Sequence, residues 1–166
     1  MALIVQHLTP NGDGTGGFNA NGDYSSTEEI FYIQPPSDKV YCIQRMIGMI
    51  EDSNNMRAEY YGDMGVALTN GITVRVSNNN GVILDMTNGH PIKRNAEWGQ
   101  FCYDVDLKSW GTGNEFILIK WDLSLPEQSL FLTGANGDKL ELILNDDFSG
   151  LVSHHFVIEG HVYPGV

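Results

Sequence analysis

Apolar and polar residues alternate with a period of two along most of the chain. In the clearest run, Ile72, Val74 and Val76 point to one face of an extended strand and the residues between them point to the other. The turn sequence Asn78–Gly81 follows, and a second apolar run, Val82–Met86, comes directly after it. The two runs therefore predict a β-hairpin.

Further strands are predicted between Gly, Asn, Asp and Pro turns. The long run Val40–Glu51 has apolar residues on both faces, which predicts a central or locally bulged strand. Residues 52–70 fit no strand, and 55–61 have a weak helical pattern broken by glycines. The remaining predicted strands are Glu28–Gln34, Gln100–Leu107, Glu115–Leu123, Ser129–Leu132, Lys139–Leu144 and Leu151–Tyr163.

This pattern of about eight or nine short strands with almost no helix predicts an all-β domain. We expect an antiparallel β-sandwich and, among sandwiches, favour a jelly roll. The alternation also predicts which side chains form the core. They are Ile72, Val74, Tyr103, Val105, Ile119, Trp121, Leu142 and Phe156.

Residues 1–26 have a different composition from the sandwich predicted at 27–166. Gly, Asn and Asp dominate the stretch after Leu8, and such a stretch cannot bury enough surface to fold alone. We interpret it as a flexible arm with an apolar tip that binds a partner. Its candidate contact residues are Leu3, Ile4, Val5, Phe18 and Tyr24. An edge strand from Leu3 to Leu8, followed by a long loop, is an equally good interpretation.

Composition and charge narrow the classes of partner. The 166 residues are 42% apolar, which is enough for one domain with a sizeable core. Nine basic and 21 acidic residues give a net charge of -12, the wrong sign for binding nucleic acid. No apolar run approaches membrane-spanning length and the start has no signal-peptide pattern, so we expect a protein that is not bound to a membrane.

Candidate ligand and redox residues are sparse. Cys42 and Cys102 each lie inside a predicted strand, which favours buried reduced thiols over a disulfide. His154 and His155 are neighbours on a strand and point to opposite faces, so they cannot bind one ion together. Glu159 and His161 share a face, two residues apart, and His155 lies further along the same side, which gives two plausible ligands and a distant third. We expect neither a metal nor a cofactor.

Catalytic patterns are equally weak. Asp104 and Asp106 lie on one face of a strand, where acidic residues are typical of a solvated surface. Asp146 and Asp147 lie in a predicted turn and are expected to cap backbone groups. No G-x-S-x-G motif is present. We therefore expect a protein that is not an enzyme. Trp110, in a Gly-rich turn, is a candidate for stacking on a sugar.

Three segments carry a resemblance to a known family. They are ALTNGITVRVSNNNGVILDMTNGHPIKRNAEWGQFCYDVDLKSWGTGNEFILIKWDL, LELILNDDFSG and HHFVIEGH. Over roughly residues 26–165 the chain resembles small structural proteins of tailed bacteriophages and prophages. The resemblance implies a virion component, assembled in the cytoplasm of the bacterial host. Its implied role is that of a trimeric capsid decoration (cement) protein, bound to the major capsid protein or to other virion proteins, without catalytic residues.

Two other functions remain open. A tail, collar or receptor-binding module of the same virion would use exposed aromatic residues to bind carbohydrate. A polysaccharide-degrading enzyme built on a jelly roll is the more distant alternative, because it needs two carboxylates that converge across a cleft. The position of the protein in the particle separates these alternatives.

Overall fold

The computed structural model describes residues 1–15, 18–52, 61–62, 64–65, 68–85, 102–109, 115–125 and 128–165. Backbone alone is described for strand 102–109 and for positions 115, 122, 124, 125 and 128. Most of the described chain is β-strand, as the alternating pattern predicts. A 3-10 turn at Gly134–Asn136 connects two of the strands.

The strands agree closely with those predicted from the sequence. In chain order they are β1 (Ala2–His7), β2 (Glu29–Ile33), β3 (Lys39–Asp52), β4 (Thr73–Asn78), β5 (Gly81–Asp85), β6 (Cys102–Ser109), β7 (Glu115–Asp122), β8 (Ser124–Leu125), β9 (Gln128–Thr133), β10 (Lys139–Leu144) and β11 (Ser153–Pro164). The predicted helical pattern at 55–61 lies outside the described residues except for Tyr61. Trp110 lies outside them entirely.

Two antiparallel sheets pack face to face. The larger sheet has the order β1-β11-β3-β7-β6, with β9 paired to β3 and β8 to β9, and the smaller has the order β2-β10-β4-β5. The paired strands are nested along the sequence, so that each pair encloses the next. From the outermost inward the pairs are β1/β11, β2/β10, β3/β7 and β4/β5. This is the strand order of a jelly roll, so the predicted fold class is confirmed.

The core lies between the sheets, where the alternation predicts it. Six of the predicted core residues are buried: Ile72, Val74, Ile119, Trp121, Leu142 and Phe156. The side chains of Tyr103 and Val105 lie outside the described part of the structure. Cys42 is a buried free thiol, as predicted, while the side chain of Cys102 is not among those described.

Strand β3 is both central and bulged, which confirms its prediction. It pairs with β11 on one side and with β7 and β9 on the other. The β3–β11 register shifts between Glu159 and Gly160, opposite Gln44. The two backbones approach so closely there that a Cβ atom on Gly160 would lie 2.1 Å from the carbonyl oxygen of Cys42. Glycine is therefore required sterically at the bulge.

The segment 1–26 packs onto the sandwich, which corrects the interpretation as an arm. Strand β1 pairs along its whole length with β11. The Leu8 N–H donates to the carbonyl oxygen of Phe156 at 2.9 Å, and the Ala20 N–H donates to that of His154 at 2.7 Å. Leu8 and Ala20 are each 2% exposed. The edge-strand alternative is the one the structure shows, because backbone pairing and these buried side chains compensate for the glycine-rich composition.

Candidate interaction surface

Strand β1 places an apolar row on the outer face of the larger sheet. Its alternation turns Ile4 inward, where it is 7% exposed, and turns its two neighbours outward. Leu3 is 72% exposed and Val5 is 60% exposed. Burying such side chains removes a large apolar area from water, so this row favours contact with another surface.

The backbone of β1 is also available on its far side. The Leu8 N–H donates to the carbonyl oxygen of Phe156. This hydrogen bond fixes which residues of β1 direct their backbone N–H and C=O groups toward β11. Antiparallel ladders alternate, so the N–H and C=O groups of Leu3, Val5 and His7 point away from β11. Strand β1 is at the end of the strand order, and no described residue pairs with that side. Within the described part of the chain, these groups therefore form an open hydrogen-bonding edge.

Strand β1 lacks the charged residues, prolines and bulges that usually discourage strand pairing. Proteins protect exposed edges with charged residues, proline or bulges. The sequence of β1, ALIVQH, contains no Asp, Glu, Lys, Arg or Pro. Its pairing with β11 runs from Ala2 to His7 with no register shift. An uncharged, regular edge of this kind is suited to adding another strand.

The outer face next to β1 is partly apolar. Val157 on β11 lies opposite Ile47 on β3, and both are half-buried. Phe131 on β9 is 56% exposed. The ion pair between Arg45 and Glu159, with Nε to Oε2 at 2.7 Å, compensates two charges on this face. We call β1 together with these outward residues of β11, β3 and β9 the outer surface.

The five residues predicted for partner binding are placed differently. Leu3 and Val5 are on the outer surface, whereas Ile4 belongs to the core. Phe18 is 39% exposed and packs against Phe31, with ring centroids 5.3 Å apart. Tyr24 is partly buried against the core and contacts the same Phe31 ring. Burial raises the pKa of the Tyr24 hydroxyl.

His154 is an interior structural group. Its Nδ1 donates to the carbonyl oxygen of Ala20 at 3.0 Å, so Nε2 accepts from the Tyr61 hydroxyl at 2.6 Å. Burial lowers its pKa to about 3, and the residue is neutral near pH 7. Ser153 faces the other side of the strand, and its Oγ donates to Glu51 at 2.9 Å. The adjacent serine and histidine therefore do not form a catalytic pair.

His155 is on the opposite face of β11 from His154, as predicted, and lies beside His7 with ring centroids 6.1 Å apart. Partial burial and the charge of His155 lower the pKa of His7. No group of three or more His, Cys, Asp or Glu side chains in the described residues is arranged to hold a metal ion.

The acidic residues of the predicted turn act as caps, as the sequence suggests. The Asp146 carboxylate accepts hydrogen bonds from the backbone N–H groups of Thr69, Asn70 and Gly71 at 2.9–3.0 Å. Asp147 accepts from the N–H of Ser149 at 2.9 Å. These carboxylates stabilise loops. The side chains of Asp104 and Asp106 lie outside the described residues.

One buried carboxylate, Glu141, escaped the sequence analysis. It lies on the outward face of β10 and binds Arg75 Nε at 2.5 Å and Lys139 Nζ at 3.2 Å. Burial raises its pKa, but the hydrogen bonds from Arg75, Ser77 and Lys139 outweigh burial and hold it below the usual range. The strand alternation places Glu141 on the outward face. Its neighbour Arg75 is brought beside it by the pairing of β10 with β4, and a single sequence does not specify which strands pair.

No known family model matches the chain, and no curated protein matches it. In the described segments no helix has the length and apolar character needed to cross a membrane.

Proposed function

We propose that the chain is a non-enzymatic structural protein of a bacteriophage particle, and specifically a capsid decoration protein that oligomerises and binds the shell. The observation that carries the proposal is the open, uncharged edge of β1, with Leu3 and Val5 exposed beside it on a jelly roll. The sequence resemblance to phage structural proteins supports the same role. Jelly rolls are frequent among viral capsid components.

The outer surface provides the energy that such a role needs. Full burial of an exposed Leu, Val or Phe contributes roughly 1.5 to 3 kcal/mol. Leu3, Val5 and Phe131 are all more than half exposed and lie on the same face of the larger sheet. A contact that covers them gains from apolar burial as well as from strand pairing.

The buried polar groups favour rigidity. His154, Asp146 and Glu141 each have hydrogen-bond partners that fix loops or strands. Residues organised for catalysis usually face a cleft that a substrate can enter. These three side chains are instead almost fully buried, at 0%, 7% and 3% exposure. A stiff body with an exposed contact edge suits a particle component.

The net charge of -12 suits a protein on the outside of a DNA-filled shell. Like charge keeps it from competing for the packaged phosphates, and it keeps the exposed surface soluble.

Binding to undecorated capsids tests the proposal. Purified protein is mixed with capsids that lack it, and with isolated tails as the control, and each mixture is sedimented. We expect saturable co-sedimentation with capsids only, and cryo-EM density on the outer surface of the shell. Binding to tails alone would identify a tail or collar component instead. Turnover of a polysaccharide by the purified protein would favour the enzyme alternative.

The homotrimer that the resemblance implies stays a prediction. A mass measurement on the purified protein tests it.

A further inference from the structure

We propose that two copies of the chain pair through β1, antiparallel, about a two-fold axis at Val5, so that the larger sheets of both copies become one continuous sheet. The occupant of the open edge is therefore a second copy of β1. This inference deepens the proposed function by naming a contact between two copies; because the contact is two-fold, it lies outside the predicted homotrimer and would join one trimer to another. It does not require the capsid.

The hydrogen-bonding pattern of the edge selects this register. Leu3, Val5 and His7 are the residues of β1 whose N–H and C=O groups face away from β11. With Val5 opposite Val5 of the second copy, Leu3 lies opposite His7 in both directions. Other antiparallel registers can also place free N–H and C=O groups opposite each other. In each of them, at least one of Leu3, Val5 and His7 lies opposite no residue of the second β1. The edge is thus complementary to itself.

The side chains fit the same arrangement. A two-fold axis perpendicular to the sheet keeps the outer faces of both copies on the same side. The exposed Leu3 of one copy then lies opposite His7 of the other, and Val5 lies opposite Val5. Cross-strand pairs of this kind bury apolar surface that is 60% to 72% exposed in one copy.

Charge also favours a second copy at this edge. Two chains that each carry a net charge of -12 repel one another over most approaches. Strand β1 has no charged side chain, and Glu159, opposite Val5 on β11, is paired with Arg45. Burial and His155 lower the pKa of His7, which favours its neutral form. The contact therefore brings no unpaired like charges together within β1.

Cysteine cross-linking tests the register. In a hydrogen-bonded antiparallel pair the two Cα atoms are about 5.5 Å apart, within the span of a disulfide. Val5→Cys lies on the proposed axis and should form a covalent dimer of twice the 18.4 kDa chain mass. Leu3→Cys is the matched control, since its two copies would be roughly 14 Å apart at four residues of strand rise. Wild type, with its native cysteines, sets the background.

Equal cross-linking at both positions, or none at Val5→Cys above the wild-type background, would overturn the proposal. A second measurement uses Val5→Lys, which places two ammonium groups at the axis. Sedimentation equilibrium should show self-association weakened by at least about tenfold, the effect of 1.4 kcal/mol. Val82→Lys, at a site 55% exposed on the smaller sheet, should associate like wild type.

Wild type that is monomeric at high concentration would also overturn the pairing, and would leave the edge to a strand of a different protein. Because no capsid is present, these results are distinct from the test of function. Protein that binds capsids without cross-linking keeps the proposed function and loses the pairing. Protein that cross-links without binding capsids does the reverse.

Discussion

At the scale of single residues, His154 shows how a polar side chain becomes part of a core. It is fully buried among aromatic rings, and both its ring nitrogens have partners. Those partners, Tyr61 and Ala20, are 93 and 134 residues away in the chain. The sequence predicts which face of the strand His154 occupies, but contacts at such separation depend on the whole topology, so its role is not predictable locally.

Acid should destabilise the protein through His154. Its pKa is about 3 in the folded protein against 6.5 for an ordinary histidine. Between these values the unfolded state holds more protons, so the free energy of unfolding falls as the pH falls from 6.5 toward 3, by at most about 1.4 kcal/mol per pH unit. Urea unfolding at several pH values measures it. His154→Phe should have a shallower pH dependence than wild type, and an identical slope would contradict this assignment.

Gly160 makes a steric prediction at the bulge. In Gly160→Ala the new Cβ meets the backbone carbonyl oxygen of Cys42 at 2.1 Å, so β3 and β11 must separate locally. We expect a loss of at least about 2 kcal/mol in the free energy of unfolding, typical of forced backbone movement. Gly150→Ala is the control, because among the described residues, its two chain neighbours aside, no atom lies within 4 Å of its Cβ position. Equal unfolding midpoints for the two variants in urea would show that the bulge accommodates a methyl group.

At the scale of elements, strong alternation makes a strand predictable. The bounds of β10, Lys139–Leu144, are those predicted, because Leu140, Leu142 and Leu144 share a face. Strand β1 was ambiguous, since Leu3, Ile4 and Val5 form a continuous apolar run with no local sign of which one points inward. Pairing with β11 fixes the orientation of β1. It leaves Leu3 and Val5 exposed and buries Ile4. Long-range register is the information that a single sequence lacks.

Strand β7 offers a test of the core through Trp121. Its side chain is 1% exposed and its ring packs against that of Phe156 with centroids 6.2 Å apart. Trp121→Ala should lower the free energy of unfolding by about 3 to 5 kcal/mol, as for other buried aromatic residues. Phe131→Ala removes an aromatic residue that is 56% exposed, and we expect a change within about 0.5 kcal/mol. Chemical denaturation of both variants measures the contrast, and similar losses would place Phe131 in a buried contact.

At the scale of the whole molecule, the nested strand order of the jelly roll places β1 beside β11. Because β1 pairs only with β11 among the described strands, and Ile4 and Leu8 complete the core, the segment before β2 belongs to the same cooperative unit. The jelly roll was predictable from strand number and spacing. The participation of the glycine-rich segment was not, because its buried contacts are made with residues far along the chain.

Deleting residues 1–26 should therefore destabilise the sandwich. The deletion removes β1, exposes the edge of β11 and leaves His154 without its Ala20 acceptor. We expect a large drop in melting temperature or loss of cooperative unfolding, measured by circular dichroism. The double variant Leu3→Ser and Val5→Ser, which changes only exposed side chains of β1, should melt close to wild type. A truncated protein that melts like wild type would restore the interpretation as an independent arm.

The pairing of β1 with β11 also has a consequence during synthesis. Residues 2–7 are translated long before their partners, 157–162. At about 5 to 20 residues per second, β1 waits for roughly 8 to 30 seconds before its partner exists. Throughout that time a mostly apolar hexapeptide, ALIVQH, is available to nascent neighbours on the same messenger. We expect the yield of folded protein to depend on translation rate and on chaperones that shield β1 until β11 emerges.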